Sequence, residues 1–402
     1  MLRSIRLRNL LSFGPDSDTV PLQALNVLIG PNASGKSNLI EALGLLRAAP
    51  GNLLAPIREG GGVTEWLWKG GADAKPPSAE VEVVLEYPEA AMPLRYRLAF
   101  SAAGQRLELV DEVLENERLE PEDAELSRFY DYQAGKPFVN ARLMTGAKPG
   151  SSVGRHIASP DAYNLRSDES VLSQLREALA LPELTYVGSL LSRISLHREW
   201  NLGRYTPPRL PQRTDLPGDF LLEDASNLGL VLNELEFIPG VKKLLLENLR
   251  LLYARVKDFS VKISGGTVQV YFHEEGLSAP VPATRLSDGT LRYLCLLTLL
   301  CHPAPPPLVC IEEPELGLHP DILPVIGRLL VEASARTQLI VTTHSDTLIS
   351  ALSAVPEAVI ICEQERGGTV LRRLEKEQLA EWLKEYGLGE VWRMGALGGT
   401  RW

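Results

Sequence analysis

Cysteine is scarce in this 402-residue chain: Cys295, Cys301, Cys310 and Cys362 are the four, none forms a C-x-x-C pair, and each has apolar neighbours. That spacing argues against a metal cluster or a disulfide framework and leaves buried, reduced thiols. Long apolar runs are missing as well. No stretch reaches the roughly 20 residues of a membrane span, and Met1-Leu2-Arg3-Ser4-Ile5-Arg6 lacks the apolar core of a signal peptide. The expected setting is cytoplasmic, with no membrane partner. No heptad pattern persists, so a long coiled-coil arm is not expected, and there is no internal repeat. Positive charge is in deficit: the formal net charge is −10. Coating nucleic acid by overall charge is thereby excluded. A local basic groove is not, because the patch and not the sum sets binding. The remaining composition, 45% hydrophobic and 23% charged, is that of a globular protein long enough for two or three lobes.

Against these absences stands one complete motif. Gly30-Pro31-Asn32-Ala33-Ser34-Gly35-Lys36-Ser37 has the form G-x-x-x-x-G-K-[ST]. An apolar strand precedes it (Leu25, Val27, Leu28, Ile29) and a helical pattern follows from Asn38, which is the setting the motif requires. Its glycines let backbone N–H groups curl around a polyphosphate, and the helix N-terminus adds partial positive charge. Lys36 is placed to reach the β- and γ-phosphates, and the Ser37 hydroxyl to help hold Mg²⁺. The motif predicts a nucleotide site.

Three later segments narrow the chemistry. Leu286-Ser287-Asp288-Gly289-Thr290 runs into Leu291, Leu294, Cys295 and Thr298 at helical spacing, so Ser287 sits where an N-cap belongs. By itself it reads as a cap, and it also offers a second helix N-terminus to phosphate oxygens. Leu308-Val309-Cys310-Ile311-Glu312-Glu313-Pro314-Glu315 describes a buried strand that delivers carboxylates at its C-terminal edge, where ligands bind in α/β sheets. Glu312 is placed to hold Mg²⁺, directly or through water, and Glu313 to polarise an attacking water. Gln338 to Ser345 is a third strand, ending in His344, with a helical pattern over 321–335 between. A strand–helix–strand unit of this kind brings Glu313 and His344 out side by side.

Elsewhere the pattern is coarser. Strands are expected at 5–10, 79–87, 94–100, 259–263 and 267–272, and helices near 168–180 and 226–252. The stretch 108–125 is crowded with acids and 145–165 with Gly, Ser and basic residues, which reads as an insertion with loops. Arg3, Arg6 and Arg8 are a candidate DNA-contacting face or simply a solvated one. Asp16-Ser17-Asp18, the one Asp-x-Asp, reads as a turn.

The ordered set resembles the ATP-binding-cassette ATPases, and more closely their soluble RecF, Rad50/SMC and OLD-type branch. Gly30 to Ser37 stand for Walker A, Leu286 to Thr290 for the signature and Leu308 to Glu313 for Walker B. Leu316 to Pro320 stand for the D-loop region and His344 for the switch histidine, while the opening 5–10 and the ending 395–399 also look like the compact ATPases of this branch. Glu312 departs from the Asp common in the family, and no Q-loop residue can be placed in 60–80. The resemblance implies an α/β ABC-ATPase head with a mixed N-terminal β-lobe, a RecA-like core and a partly helical insertion. Its expected divisions are 1–103, the inserted lobe 104–254, and 255–402. It implies ATP and Mg²⁺ as ligands, ATP-driven homodimerisation, and a site in which Ser287 and Gly289 of one protomer cap nucleotide held by the loop of the other. Asn32 would lie near the γ-phosphate, with Glu313 the general base and His344 the γ-phosphate sensor. DNA-linked work is implied: repair, chromosome maintenance, or antiviral defence with a separately encoded nuclease or toxin. The residues after His344 are too few for a Toprim nuclease domain. A regulatory ATP-sensing switch is the alternative, and a transporter subunit is disfavoured by the non-standard signature.

Overall fold

The computed structural model describes residues 1–70, 78–118, 127–133, 136–142, 155–158 and 165–399. Most of the 145–165 stretch expected as loop, part of the 108–125 acidic run, and positions 71–77 of the 60–80 Q-loop segment lie outside the described residues. The first strands in chain order are β1 (Leu2–Arg8), β2 (Val20–Pro21), β3 (Leu25–Ile29), β4 (Ala79–Leu85), β5 (Leu94–Ala103) and β6 (Arg106–Asn116). Next come β7 (Arg128–Gln133), β8 (Lys136–Arg142), β9 (Arg155–Ala158), β10 (Ile194–His197), β11 (Gln212–Arg213), β12 (Val256–Ser264) and β13 (Thr267–Glu274). The last are β14 (Val281–Pro282), β15 (Leu308–Glu312), β16 (Gln338–Thr342), β17 (Val359–Glu365) and β18 (Gly368–Arg373).

The chain forms two compact units. One comprises Met1–Gln23, Asn32–Ile194 and Cys362–Arg372; the other Ala24–Pro31, Ser195–Ile361 and Arg373–Trp402. In the first, an antiparallel sheet runs β2-β1-β4-β5-β6-β7-β8-β9. The acidic stretch from 108 is therefore β6 and not a loop. Its apolar Leu107, Leu109, Val113 and Leu114 are buried, and its acids meet cross-strand arginines, Arg97 with Asp111 at 2.7 Å and Arg128 with Glu115 at 3.3 Å. Such pairing lets an acid-rich segment hold a strand. The helix expected over 168–180 shrinks to Val171–Gln174, and the following helix, Pro182–Ser192, opens on a proline whose fixed φ suits a first turn.

In the second unit, β15, β16, β3 and the start of β17 pair in parallel, with β10 next to β15. Near-continuous apolar runs in β3 and β16, buried at every position, are what a parallel sheet covered on both faces demands. The surrounding core is drawn from Val231, Leu245, Leu294, Leu297, Ile326, Leu330 and their neighbours. The 226–252 helix is two, Leu228–Glu236 and Val241–Leu252, divided at Pro239-Gly240. Residues 195–254 lie in this unit with β15 and β16, whereas 104–194 lie in the other. All four cysteines are buried free thiols.

Candidate functional site

Three strands of the second unit finish in register. Glu312 of β15 stands opposite Thr342 of β16, which stands opposite Leu28 of β3. Glu313, Thr343-His344 and Gly30 therefore leave the sheet at one edge, the carboxyl edge where α/β sheets bind ligands. Thr343 N–H donates to the Leu28 carbonyl at 3.1 Å and stitches two of these exits together. Gly399, at φ 64°, also reaches this edge. A Cβ there would lie 2.8 Å from Ile361 and 3.6 Å from the Gly30 Cα, so the glycine-rich ending packs against the start of the phosphate loop.

The rest of that loop belongs to the first unit. Ala33 adopts φ 63° and Gly35 φ 97°. A Cβ at Gly35 would fall 2.3 Å from Thr369 Oγ1 and 2.8 Å from Ser12 Oγ, so only glycine fits both the turn and the space. Thr369 Oγ1 bonds Ser12 Oγ at 2.7 Å and lies 3.1 Å from the Ser34 carbonyl, while Asn38 Nδ2 donates to Ser12 Oγ at 2.7 Å. The loop thus rests on a polar footing that the sequence motif did not reveal. Helix Lys36–Ala48 starts at Gly35 with no side-chain cap, so its N-terminus and its dipole face the phosphate loop. Lys36 is buried, and the buried Ser34 Oγ has no hydrogen-bond partner. Burial pushes the Cys362 thiol up to about 12, and the Lys36 charge pulls against that shift.

At the acidic edge, Glu313 holds a left-handed φ of 44°. For a non-glycine residue this is strain that only surrounding bonds sustain. Its N–H donates to the Thr342 carbonyl at 3.0 Å and approaches Thr342 Oγ1 at 3.3 Å. The half-exposed carboxylate lies 3.7 Å from His344 Nε2. The two expected partners do emerge together. Glu315 accepts from Thr343 Oγ1 at 2.6 Å and from the His344 N–H at 2.8 Å, so it shapes the histidine turn. Burial raises its pKa against those two bonds. Glu312 is paired with Arg198, Nε to Oε1 at 3.1 Å.

Ser287 caps helix Asp288–Leu300, its Oγ accepting from Thr290 N–H at 3.1 Å. Gly289 lies close to the D-loop region, since a Cβ there would stand 3.0 Å from the Gly317 carbonyl. The buried Arg209 fastens the segment: it donates to the Leu202 carbonyl at 2.7 Å, to the Leu286 carbonyl, and to Asp288. Arg292 of this helix stacks over Trp200 at 5.8 Å. Sequence reading missed Arg198, Trp200 and Arg209, which lie in a Pro-marked loop with no motif of their own. Arg6 pairs with Glu80 and Glu82 and Arg8 with Glu80 across β1 and β4, and Arg3 pairs with Glu86 just past β4.

Among the described residues no group of three or more His, Cys, Asp or Glu could hold a metal ion. Mg²⁺ is commonly held by one or two carboxylates with substrate phosphates and water, and Glu312 at the carboxyl edge of β15 fits the place of such a carboxylate. No described helix is long and apolar enough to cross a membrane.

A family model described as "AAA domain, putative AbiEii toxin, Type IV TA system" matches residues 25–350. No curated protein matches the chain. Among solved structures, an SMC head bound to the C-winged helix domain of ScpA aligns at 13% identity and TM-score 0.57, covering 94% of this chain and 99% of that one. An SMC head with an extended coiled coil bound to the C-terminal domain of ScpA, from Pyrococcus furiosus, aligns at 14% and 0.55 over 96% and 98%. An SMC head with a coiled coil and joint from Pyrococcus yayanosii gives 12% and 0.50 over 96% and 99%. The fold is that of these SMC heads, an α/β P-loop head of the ABC type, as the order of motifs predicted.

Proposed function

The chain belongs to this AAA-domain family, and we propose that it binds ATP with Mg²⁺ and hydrolyses it, dimerising around the nucleotide to drive DNA-linked work. The observation that carries the reading is the shared carboxyl edge: Gly30, Glu312, Glu313 and His344 leave parallel strands side by side, with Glu313 held at φ 44°. In this reading Gly30 to Ser37 wrap the phosphates. Lys36 offsets their charge, and the Ser37 hydroxyl and Glu312 hold the metal, which when bound neutralises charge on the β- and γ-phosphates. Asn32 lies near the γ-phosphate. Glu313 accepts the proton of the attacking water, and His344 steadies Glu313 and senses the γ-phosphate. Ser287 and Gly289 of a second copy of the chain cap the nucleotide with a helix N-terminus. Catalysis is then mostly positioning and charge stabilisation, and its output is closing and opening of the dimer. Repair, chromosome maintenance and antiviral defence with a separately encoded nuclease or toxin all fit; the toxin named in the family description supports the last. A second reading, an ATP-sensing switch that gates a partner protein, is favoured by the pairing of Arg3, Arg6 and Arg8 with acids. DNA-stimulated turnover supports the first reading, and tight ATP binding with slow, DNA-indifferent turnover the second.

The shared site is testable by mixing. Lys36→Ala removes the phosphate counter-charge, and calorimetry should find no ATP binding; Ser287→Arg blocks the cap. Each variant should be inactive alone. A mixed dimer holds one site with both defects and one with none, so mixing should recover part of the ATPase activity. No recovery, with Glu313→Gln remaining monomeric on gel filtration in ATP and Mg²⁺, would sink the dimeric model.

A further inference from the structure

Glu312 closes β15 with its side chain only 15% exposed, so its carboxylate has lost much of its hydration and needs a positive partner. Arg198 supplies one. It is the first residue after β10, the strand beside β15, and its Nε stands 3.1 Å from Glu312 Oε1. The guanidinium fork suits a carboxylate, and the contact is a charge-assisted hydrogen bond. Mg²⁺ asks for the same oxygens at about 2.0–2.1 Å in near-ideal octahedral geometry. A divalent ion and a guanidinium on one carboxylate also repel each other. They compete.

Resting on the reading of Glu312 as the metal carboxylate, we propose that Arg198 is the counter-charge of Glu312 in the metal-free protein, which Mg²⁺ must displace. Arg198 thereby sets the Mg²⁺ concentration at which the site loads. A merely orienting role predicts the opposite sign, because removing an orienting residue weakens metal binding.

Mn²⁺ uptake in the presence of ADP, counted by electron paramagnetic resonance, and Mg²⁺ titration followed by calorimetry separate the two without reference to turnover. In Arg198→Ala the half-saturating metal concentration should fall about threefold to fivefold, the upper part of the range for an ion pair still partly open to water. Arg198→Lys, which keeps the charge, should stay near wild type. Arg198→Gln serves if the alanine variant does not fold. An unchanged or raised half-saturation point in the charge-removing variants overturns the inference while the nucleotide reading stands. A wild-type protein that takes up no ADP at any Mg²⁺ concentration overturns that reading, and this inference with it.

Discussion

Glu112 on β6 and Glu313 just past β15 are both placed by strands, and their surroundings are opposite. Glu112 is fully buried, and its carboxylate accepts from Tyr96 Oη at 2.6 Å, Ser170 Oγ at 2.5 Å and the Val171 N–H at 2.8 Å. Its backbone is ordinary strand. Glu313 is half-exposed, with His344 at ion-pair distance, yet its backbone is strained and pinned through Thr342. A carboxylate whose lone pairs are spoken for is a clip: it ties Val171–Gln174 to the sheet. A carboxylate with open lone pairs on a strained residue is available for chemistry, and the strain marks where the fold gives up stability for position.

Substitutions sharpen the contrast. Glu313→Gln should cut ATP turnover by about 10²–10⁴-fold, the usual share of a general base, while ATP stays bound; melting should move by no more than about 0.5 kcal/mol. Wild-type turnover would erase the distinction. Glu112→Ala should do the reverse, costing roughly 1–3 kcal/mol for each buried donor left unpaired, with turnover per folded molecule unchanged. Denaturant unfolding beside an ATPase assay reads both. The clip also carries a pH signature. Burial raises the Glu112 pKa above its ordinary 4.5, so folding favours the protonated form. Its contribution is complete below pH 4.5 and is lost as pH rises through the folded-state value. Unfolding free energies should therefore fall with pH across that window more steeply in wild type than in Glu112→Gln. The smallest effect expected is at Ala33, whose φ of 63° costs an L-residue about 1–2 kcal/mol. Ala33→Gly relieves that and gives back about 0.4–1 kcal/mol in unfolded-chain entropy. A net gain of about 0.5–1 kcal/mol by chemical denaturation would place strain in the phosphate loop as well as at Glu313.

Much of the head was legible because its signals are local. The loop motif lies between an apolar strand and a helix, and two apolar runs end in acids or histidine; these placed β3, β15, β16 and their exits. What stayed hidden depends on partners distant in sequence. Nothing near Thr369 says that it underlies Gly35, and nothing near Arg198 or Arg209 points to Glu312 or Asp288. The acidic β6 was misread as loop because its arginine partners sit on other strands. The 168–180 helix was misread because the chain turns extended at Leu175 (φ −112°, ψ 111°), after the single turn that Ser170 caps.

The burial of every cysteine has a practical side. Cys295, Cys301 and Cys362 are each pushed up to about 12 by burial, so almost no thiolate exists near neutrality and the thiols lie out of solvent's reach. Alkylating reagents should thus report global opening and little else. A single cysteine engineered onto the surface would be the one fast-reacting thiol in an otherwise native background. Spectroscopic labels could then be attached to test whether two copies of the chain approach and part as ATP is added, with no need to strip the native cysteines first.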